Sequence, residues 1–546
     1  MKRYLSKLAV SNSKLTLIFS LFIAAALNMA VYSDIYKILA KLDDFSIGFV
    51  ITIPIFFTLA FNLLFNVISW PYLTKPLFIV LVILSSFLSY AEYNYGVIFD
   101  RSMIRNLFET NSSEATSYFS SYVLLWVIIL GVIPAVIIAL IHIKHESILK
   151  FSLKKLLSMI LSVVGILLIA YFYYQDYSSV IRNHKVLEKR VVPSAFLHNS
   201  YRYLRDAYFS EPIAYRKLGE DAHQSQQALL AATEKPTIFV FLVGETARAQ
   251  NYSFNGYARQ TTPYTQNLKN RVVFKDFASC GTSTAVSVPC MFSQMNRTNF
   301  DRDHADRQDN ALDILSRAKV DILWKDNDGG DKRVAQRVKL EELNTDVSLP
   351  HCNGHVCNDL ALIEHLKDDI QSMHGNRMIL LHMIGSHGPT YFWRYPKAFA
   401  FYKPNCNQAD IENCSVKEIT NTYDNSLRFS DFVLKQTIDQ LSALSSDYNV
   451  AVMYMSDHGE SLGESGLFLH GTSYQFAPDF QKRVPMIMWF SDGFMSAKHL
   501  DLSCMRKQGS RGGFSQDYIF DSLLGIMDVK SKVYRPKQDL FAACRT

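Results

Sequence analysis

The sequence predicts an α-helical membrane domain with five transmembrane spans, followed by an α/β domain with a mainly parallel central sheet and helices on both faces. Two observations support this fold class. Residues 1–174 are mostly apolar with short polar breaks, whereas the remainder has the composition of a water-soluble domain. From Pro236 onward, apolar strands alternate with polar helical segments, as in parallel α/β sheets. A chain of 546 residues also exceeds the length of one ordinary domain.

Five apolar stretches are each long enough to cross a bilayer, which takes roughly 20 residues. Lysines and arginines precede the first stretch and separate the fourth from the fifth, so both segments are predicted to be cytoplasmic. An odd number of spans then places the rest of the chain on the opposite side, which in a bacterium is the periplasm. The stretches are 15–36, 47–68, 77–97, 122–143 and 156–174.

The remainder of the chain is predicted to divide into two parts. Residues 175–232 are rich in tyrosine and arginine and are expected to bridge along the membrane surface. Residues 233–546 then form the soluble domain. The net charge of +6 is modest for this length and gives no reason to expect nucleic acid as a partner.

All eight cysteines lie in the soluble part. An even number in a domain tethered to a membrane indicates disulfide bonds and an oxidising compartment. The sequence has no Cys-X-X-Cys motif, which argues against a thiolate zinc site. Eight cysteines allow 105 pairings, and we predict pairs of sequence neighbours. These are Cys280–Cys290, Cys352–Cys357, Cys406–Cys414 and Cys504–Cys544.

Three predicted strands, 237–244, 378–383 and 450–455, are followed by acidic or histidine residues. Ligands of open α/β sheets bind outside the carboxyl ends of the strands, and carboxylate with imidazole suits zinc. Each residue alone is as well explained as a polar turn residue or a buried histidine, but the set favours a metal site. The set, with one later histidine, is Glu245, His387, Asp457, His458 and His470.

Residues 279–290 concentrate hydroxyl groups, small residues and two cysteines. Gly281 permits a tight turn, and the residues from Thr284 onward can begin a helix whose free N–H groups favour phosphate. A capped helix start held by a disulfide explains the stretch equally well on its own. A zinc ion beside Thr284 would make its hydroxyl a nucleophile, which implies a covalent phospho-enzyme and a two-step reaction.

The loop between the third and fourth spans carries Asn106, Thr110 and Glu114 at a spacing of four residues. A helix would place all three on one face. That face is either a solvated amphipathic surface or a surface that holds a lipid headgroup at the membrane.

Five motifs in this order resemble a known family. They are 243–248, the 279–290 stretch, 324–330, 385–391 and 456–464. The chain resembles the lipid A phosphoethanolamine transferases of Gram-negative bacteria, including the mobile colistin-resistance enzymes, over nearly its whole length. The resemblance implies a periplasmic domain of the alkaline phosphatase/sulfatase type.

The resemblance implies one zinc ion, or two, with Thr284 as the nucleophile that becomes linked to phosphoethanolamine. The implied zinc ligands are Glu245, Thr284, Asp457 and His458.

Other residues have implied roles around that centre. His387 and His470 would contact the phosphoryl group, aid proton transfer or hold a second zinc. His382 would belong to the same outer set. Asp328 and Lys332 fall where the family contacts the substrate headgroup. Asn106, Thr110 and Glu114, in the loop between the third and fourth spans, match family positions linked to the lipid headgroup.

One departure from the family pattern lies beside Lys332. Close relatives often have a cysteine pair where this chain has Asp331 and Ala335. No thiol is left unpaired, and the loop is expected to be looser.

The expected function is transfer of phosphoethanolamine from phosphatidylethanolamine to a phosphate of lipid A by a monomeric inner-membrane enzyme among the membrane lipids, with its catalytic domain in the periplasm. The added amine would reduce negative charge and weaken binding of polymyxins. The alternatives are transfer to a core sugar or other envelope glycan, a glycerol-phosphate transferase, a membrane-anchored metal-dependent phosphodiesterase, and a binding protein on an inactive phosphatase scaffold. A sulfatase is disfavoured because a Cys-X-Pro-X-Arg signature is missing.

Overall fold

The computed structural model describes residues 9–40, 46–110, 115, 118–184, 186–209, 211, 213–343, 350–354 and 356–545. These residues form two compact units. The first takes its residues from 1–104 and 119–209, and the second from 105–118 and 210–546. The domain boundaries expected at 174 and 232 stay predictions, and Glu114 lies outside the described residues.

The chain up to residue 209 is mostly helical. By length and composition, four of its described helices could cross a membrane, or five if the bent pair α1–α2 counts as one span. The five apolar stretches fall on α1–α2, α3, α4, α6 and α7. The helices are α1 (Asn12–Leu27), α2 (Met29–Leu39), α3 (Ile47–Ile68), α4 (Thr74–Tyr95), α5 (Arg101–Glu109), α6 (Ser121–Leu140), α7 (Ile148–Asn183) and α8 (Ser194–Tyr208).

Hydropathy predicts one straight span for the first apolar stretch, but the structure shows two helices with a bend between them. Helices α1 and α2 meet at a 56° bend at Asn28. The buried Asn28 amide donates to the backbone oxygens of Ile23 and Val192, both at 2.9 Å, and its oxygen accepts from the Val192 N–H at 3.0 Å. These bonds satisfy polar backbone groups inside an apolar unit, so they stabilise the break.

The helix predicted through Asn106, Thr110 and Glu114 is shorter than expected. Helix α5 ends at Glu109. Thr110 follows the helix, and its hydroxyl donates to the backbone oxygen of Asn106 at 2.7 Å. The Thr110 N–H donates to the same oxygen at 2.8 Å, so Thr110 lies one turn beyond Asn106, and a face shared with Glu114 stays a prediction.

An eight-stranded sheet forms the centre of the second unit, in the order β8-β2-β7-β6-β1-β5-β3-β4. Neighbouring strands are parallel, except that β7 runs antiparallel to both β2 and β6. The predicted mainly parallel sheet is confirmed. The strands are β1 (Thr237–Gly244), β2 (Arg271–Ala278), β3 (Asp321–Asp326), β4 (Lys339–Glu342), β5 (Arg377–His382), β6 (Asn449–Ser456), β7 (Arg483–Phe490) and β8 (Phe514–Ser515).

Helices cover this sheet. Phe239, Phe241 and Val243 alternate along β1 and share an apolar core with α12 and α18, while α14 contacts β6. Two-residue strands also pair at Ala9–Val10 with His142–Ile143, His223–Gln224 with Val529–Lys530, and Ser461–Leu462 with Phe468–Leu469. The helices are α9 (Gln226–Glu234), α10 (Thr284–Phe292), α11 (Arg302–Ala305), α12 (Ala311–Arg317), α13 (Leu366–Ser372), α14 (Val416–Ala443), α15 (Asp479–Lys482), α16 (Asp492–Ala497), α17 (Leu502–Arg511) and α18 (Ile519–Ile526).

The strand register aligns the carboxyl ends of four strands. Gly244 of β1 pairs with Ser456 of β6, and Val243 pairs with His382 of β5. His382 in turn pairs with Asp326 of β3. The residues that follow these strands therefore meet at one edge of the sheet, where ligands of α/β proteins bind.

The structure contains four disulfide bonds, and they join the same pairs that sequence proximity predicts. Three close loops of 5 to 10 residues, and the fourth joins α17 to the end of the chain across 40 residues. Cys280–Cys290 spans the turn before α10 and the helix itself. The bonds are Cys280–Cys290, Cys352–Cys357, Cys406–Cys414 and Cys504–Cys544.

Candidate active site

Four predicted site residues meet at this edge of the sheet. The donor atoms of Glu245, Asp457 and His458 lie within 4.8 Å of one another, and all three side chains are buried. Thr284, the first residue of α10, joins them. Its hydroxyl donates to Glu245 Oε2 at 3.2 Å and lies 3.4 Å from His458 Nε2.

The hydrogen bonds of this group leave cation-binding atoms turned inward. His458 Nδ1 donates to the Gly459 carbonyl at 2.9 Å, so Nε2 presents its lone pair to the group. Asp457 Oδ1 accepts from the His458 N–H at 2.6 Å, whereas Asp457 Oδ2 has no hydrogen-bond partner among the described residues. Glu245 Oε1 has none there either. Buried polar atoms are normally paired, so this donor set fits a metal ion.

The electrostatics of the group point the same way. Burial, and then the neighbouring Asp457 carboxylate, raises the pKa of Glu245 well above its usual value. Burial lowers the pKa of His458 to about 4, which favours the neutral imidazole that binds metals. A divalent cation would offset the repulsion between the two buried carboxylates.

The turn before Thr284 places it at the start of its helix. Gly281 has no room for a side chain, because a Cβ there would lie 2.8 Å from Val286 Cβ. The Gly281 N–H donates to Ser287 Oγ at 3.0 Å, which ties the turn to the helix. The helix start presents free backbone N–H groups beside the Thr284 hydroxyl, where a phosphoryl group gains most from them.

A second acidic and imidazole group shares Glu245. Donor atoms of Glu245, Asp328 and His382 also lie within 4.8 Å of one another. His382 Nδ1 lies 2.7 Å from Asp326 Oδ2, and Nε2 lies 3.7 Å from Asp328 Oδ2. Burial lowers the pKa of His382, but these two carboxylates outweigh burial and the pKa is raised. Burial raises the pKa of Asp328 to about 6.

The other two predicted histidines follow His458 as a chain of neighbouring rings. The ring centroids of His458 and His470 are 4.5 Å apart, and those of His470 and His387 are 5.3 Å apart. His470 Nδ1 donates to Glu460 Oε2 at 2.9 Å, and Glu460 Oε1 accepts from the Tyr391 hydroxyl at 2.6 Å. Glu460 is buried, so it fixes the orientation of the His470 ring.

The structure places the remaining predicted residues less directly. Lys332 is near enough to Asp328 and His382 to influence the pKa of both. Among the described residues, the Thr110 hydroxyl bonds the backbone oxygen of Asn106 and not a member of the Thr284 group. Glu114 lies outside the described residues.

Hydrogen bonds to Asp331, which the sequence did not predict, close the loop around Lys332. The Asp331 carboxylate accepts from the backbone N–H of Ala335 at 2.6 Å and from that of Arg333 at 3.1 Å. Hydrogen bonds therefore join the two positions where close relatives have cysteines, and the looser loop stays a prediction.

Sequence reasoning assigned no role to three residues that support the site. Glu460 and Asp326 lie inside the quoted motifs, where only strand ends and metal donors were considered. Gln516 accepts from the Cys280 N–H at 2.6 Å and donates to the Asp457 carbonyl at 2.7 Å, so it links the nucleophile turn to the metal-ligand loop. No local pattern marks Gln516, since both partners are distant in sequence.

The comparisons with known proteins agree with this geometry. Residues 237–529 match the sequence profile of the sulfatase family, and residues 57–208 match that of the phosphoethanolamine transferases EptA/EptB. The fold and the donor set thus define an enzyme domain of the sulfatase class, which follows a helical membrane region in the chain.

Individual relatives narrow the class. The Escherichia coli K12 phosphoethanolamine transferase EptA is 36% identical over 100% of this chain and 99% of its own length. The Escherichia coli phosphatidylethanolamine transferase Mcr-1 is 34% identical over 86% and 88%. The structure of the integral membrane lipooligosaccharide phosphoethanolamine transferase A (EptA) from Neisseria meningitidis superposes with a TM-score of 0.93 at 34% identity, covering 98% of this chain and 99% of that one. The chain belongs to the phosphoethanolamine transferase family.

Proposed function

We propose that this protein transfers phosphoethanolamine from phosphatidylethanolamine to a phosphate of lipid A, through a covalent intermediate on Thr284. The observation that carries the proposal is the Thr284 hydroxyl at a helix start, 3.2 Å from Glu245 Oε2 and 3.4 Å from His458 Nε2. The names of relatives, phosphoethanolamine transferase and phosphatidylethanolamine transferase, support the transferred group and the donor.

The metal in this proposal is zinc. Two carboxylates, one imidazole with its Nε2 lone pair turned inward, and one hydroxyl form a donor set that suits zinc. A zinc ion bound there would lower the pKa of the Thr284 hydroxyl and polarise a phosphoryl oxygen. The ligands would be Glu245, Thr284, Asp457 and His458, with Asp328, His382, His387 and His470 as candidates for a second ion.

In the first step, Thr284 Oγ1 forms a bond to the phosphorus of the donor lipid while the bond from phosphorus to the diacylglycerol oxygen breaks. The hydroxyl proton passes to Glu245 Oε2, which already accepts its hydrogen bond. His470, held by Glu460, gives a proton to the departing diacylglycerol oxygen. The N–H groups at the start of α10 stabilise the charge that develops on the phosphoryl oxygens.

In the second step, a phosphate hydroxyl of lipid A gives its proton to His470 and attacks the same phosphorus, while the bond to Thr284 Oγ1 breaks. The threonine oxygen takes back the proton held by Glu245 Oε2, and the product carries an additional amine. Because that amine is cationic, the modified lipid binds polymyxins less strongly.

The location follows from the substrates. Both are lipids, and a catalytic domain attached to membrane-crossing helices stays within reach of them. The family resemblance, the positive charges at the cytoplasmic ends and the disulfide bonds support a bacterial inner-membrane protein with this domain in the periplasm. We propose that it acts as a monomer.

Mass spectrometry of lipid A from polymyxin-sensitive cells tests the proposal. Wild-type protein should add one phosphoethanolamine group, whereas Thr284→Ala should add none. In purified protein, the rate of transfer by Thr284→Ala should be at least about 10³-fold lower than that of wild type. Thr284→Ser keeps the hydroxyl and is the matched control, with partial activity expected. A zinc-loaded wild type that leaves lipid A unmodified would overturn the acceptor, and full activity in Thr284→Ala would overturn the nucleophile.

A further inference from the structure

The segment 328–335, called here the Lys332 loop, has an unfavourable backbone conformation. Lys332 and Arg333 have φ angles of +47° and +69°, in the left-handed region that side chains other than glycine rarely adopt. Neighbouring groups must hold such a conformation, because it is strained for a residue that has a side chain. The structure shows which groups hold it.

Asp331 closes the loop from within. Its Oδ2 accepts from the Ala335 N–H at 2.6 Å, its Oδ1 accepts from the Arg333 N–H at 3.1 Å, and its own carbonyl accepts from the Val334 N–H at 2.9 Å. Hydrogen bonds to an ionised carboxylate are stronger than those between neutral groups. One side chain therefore fixes both residues with positive φ between its own backbone and Ala335.

Arg302 ties the loop to the helix of the nucleophile. Its Nη2 donates to the backbone oxygen of Lys332 at 2.9 Å, and its Nη1 donates to the backbone oxygen of Ala285, the residue after Thr284. Its Nε donates to Asp306 Oδ1 at 2.7 Å.

The guanidinium of Arg302 is rigid and buried. Its side chain is only 6% exposed, and Nη1 also lies 3.3 Å from Glu109 Oε2 at the end of α5. A planar fork with fixed donors holds two backbone oxygens at a set separation better than a flexible ammonium does.

We propose that Asp331 and Arg302 are positioning residues of the transfer reaction, which set the Lys332 ammonium against the nucleophile helix so that it meets the phosphate of the donor lipid. This inference rests on the proposed function. Asp331 acts by fixing the backbone on either side of Lys332, and Arg302 by joining that backbone to the turn that carries Thr284. Neither side chain touches the substrate.

A double-mutant cycle in the full-length protein tests the role of Asp331. The assay measures release of fluorescent diacylglycerol from phosphatidylethanolamine labelled on an acyl chain, in detergent micelles. Asp331→Asn keeps the shape of the side chain but replaces one accepting oxygen by an amide donor. It should raise KM for the donor lipid about tenfold and leave kcat within about twofold, and in a Lys332→Ala background it should cause no further loss.

Two further variants complete the experiment. Gln336→Ala changes an exposed residue directly after the loop and should match wild type. Arg302→Lys keeps the charge without the fork, and it should raise KM and lower kcat, because it also frees the Ala285 end of the link. If Arg302→Lys fails to fold, the cycle at Asp331 still decides.

The outcomes separate the two proposals. If Asp331→Asn raises KM by the same factor in the Lys332→Ala background as in wild type, the positioning role is overturned. Wild-type kinetics in Lys332→Ala would also overturn it. A lower melting temperature with equal losses in every variant, Gln336→Ala included, would also overturn it. A metal-loaded wild type that releases no diacylglycerol would instead overturn the proposed function, and this inference with it.

Discussion

The two acidic and imidazole groups that share Glu245 satisfy their charges differently. In the Thr284 group, one oxygen each of Glu245 and Asp457 lacks a hydrogen-bond partner among the described residues. In the other group, His382 bonds Asp326 at 2.7 Å, and the Asp326 carboxylate also accepts from the Gly330 N–H at 2.8 Å. A bound cation would balance the carboxylates of the first group, whereas a proton on His382 can balance much of the second. We therefore expect a tightly held metal in the first and a readily lost one in the second.

Removing the shared carboxylate should have the largest effect. Glu245→Gln keeps the shape and removes a charged ligand, so metal content should fall from about one ion per protein to a small fraction. Mutating a residue that only supports a metal ligand lowers affinity or activity about 10 to 100-fold. Because Glu245 is itself a ligand in this proposal, activity should fall at least about 100-fold. Elemental analysis and diacylglycerol release measure the two. Retention of both metal and activity would contradict the comparison.

The support of His470 should come next. Glu460→Gln removes the carboxylate that accepts from His470 Nδ1, so the ring loses its fixed orientation. We expect kcat to fall about 10 to 100-fold with bound metal unchanged. Tyr391→Phe removes only one hydrogen bond to Glu460 and should cost less. Equal losses in both variants would mean that packing, rather than the carboxylate, is responsible.

A change in the second group should cost less than either. His382→Asn removes the imidazole between Asp326 and Asp328. Activity should fall about tenfold or less while the first metal stays bound. The comparison between the groups fails if His382→Asn loses as much metal as Glu245→Gln does.

The smallest effect should appear in the stability of chelated protein. The folded pKa of Glu245 is raised, so its favourable contribution is complete below its usual pKa of 4.5 and is lost as pH rises. His458 acts in the opposite sense between pH 4 and 6.5, because its folded pKa is lowered to about 4. As pH rises above 4.5, the chelated wild type should therefore lose stability that chelated Glu245→Gln keeps.

Urea unfolding at several pH values measures this difference. The zinc-loaded wild type is the control, and its stability should vary less because the cation offsets the charge of Glu245. Parallel curves for the chelated wild type and Glu245→Gln would show that the carboxylate is paired in some other way.

Much of the fold could be predicted because its signals are local. The predicted strand 237–244 coincides with β1, and the acidic and histidine residues after three strands meet as the carboxyl ends of a parallel sheet must. The bend at Asn28 could not be predicted, since its partner Val192 is 164 residues away and hydropathy carries no information on such a bond.

The supporting residues of the site were hidden for the same reason. Asp326 reaches His382 only because β3 lies beside β5, an order that no periodicity encodes. The link from Arg302 to Lys332 depends on a left-handed backbone at a residue type that rarely adopts it. Sequence motifs identify the reactive residues, whereas contacts between residues distant in sequence determine which side chains position them.

The order of strands also has a consequence for export. Strand β6 lies between β1 and β7, yet it follows β1 in the chain by about 200 residues. While the chain crosses the membrane from its amino end, β1 therefore has an open edge until residues 449–456 arrive. Such an edge can pair wrongly with other chains. Slow translocation over residues 245–448 should thus endanger this protein more than slow translocation after residue 456.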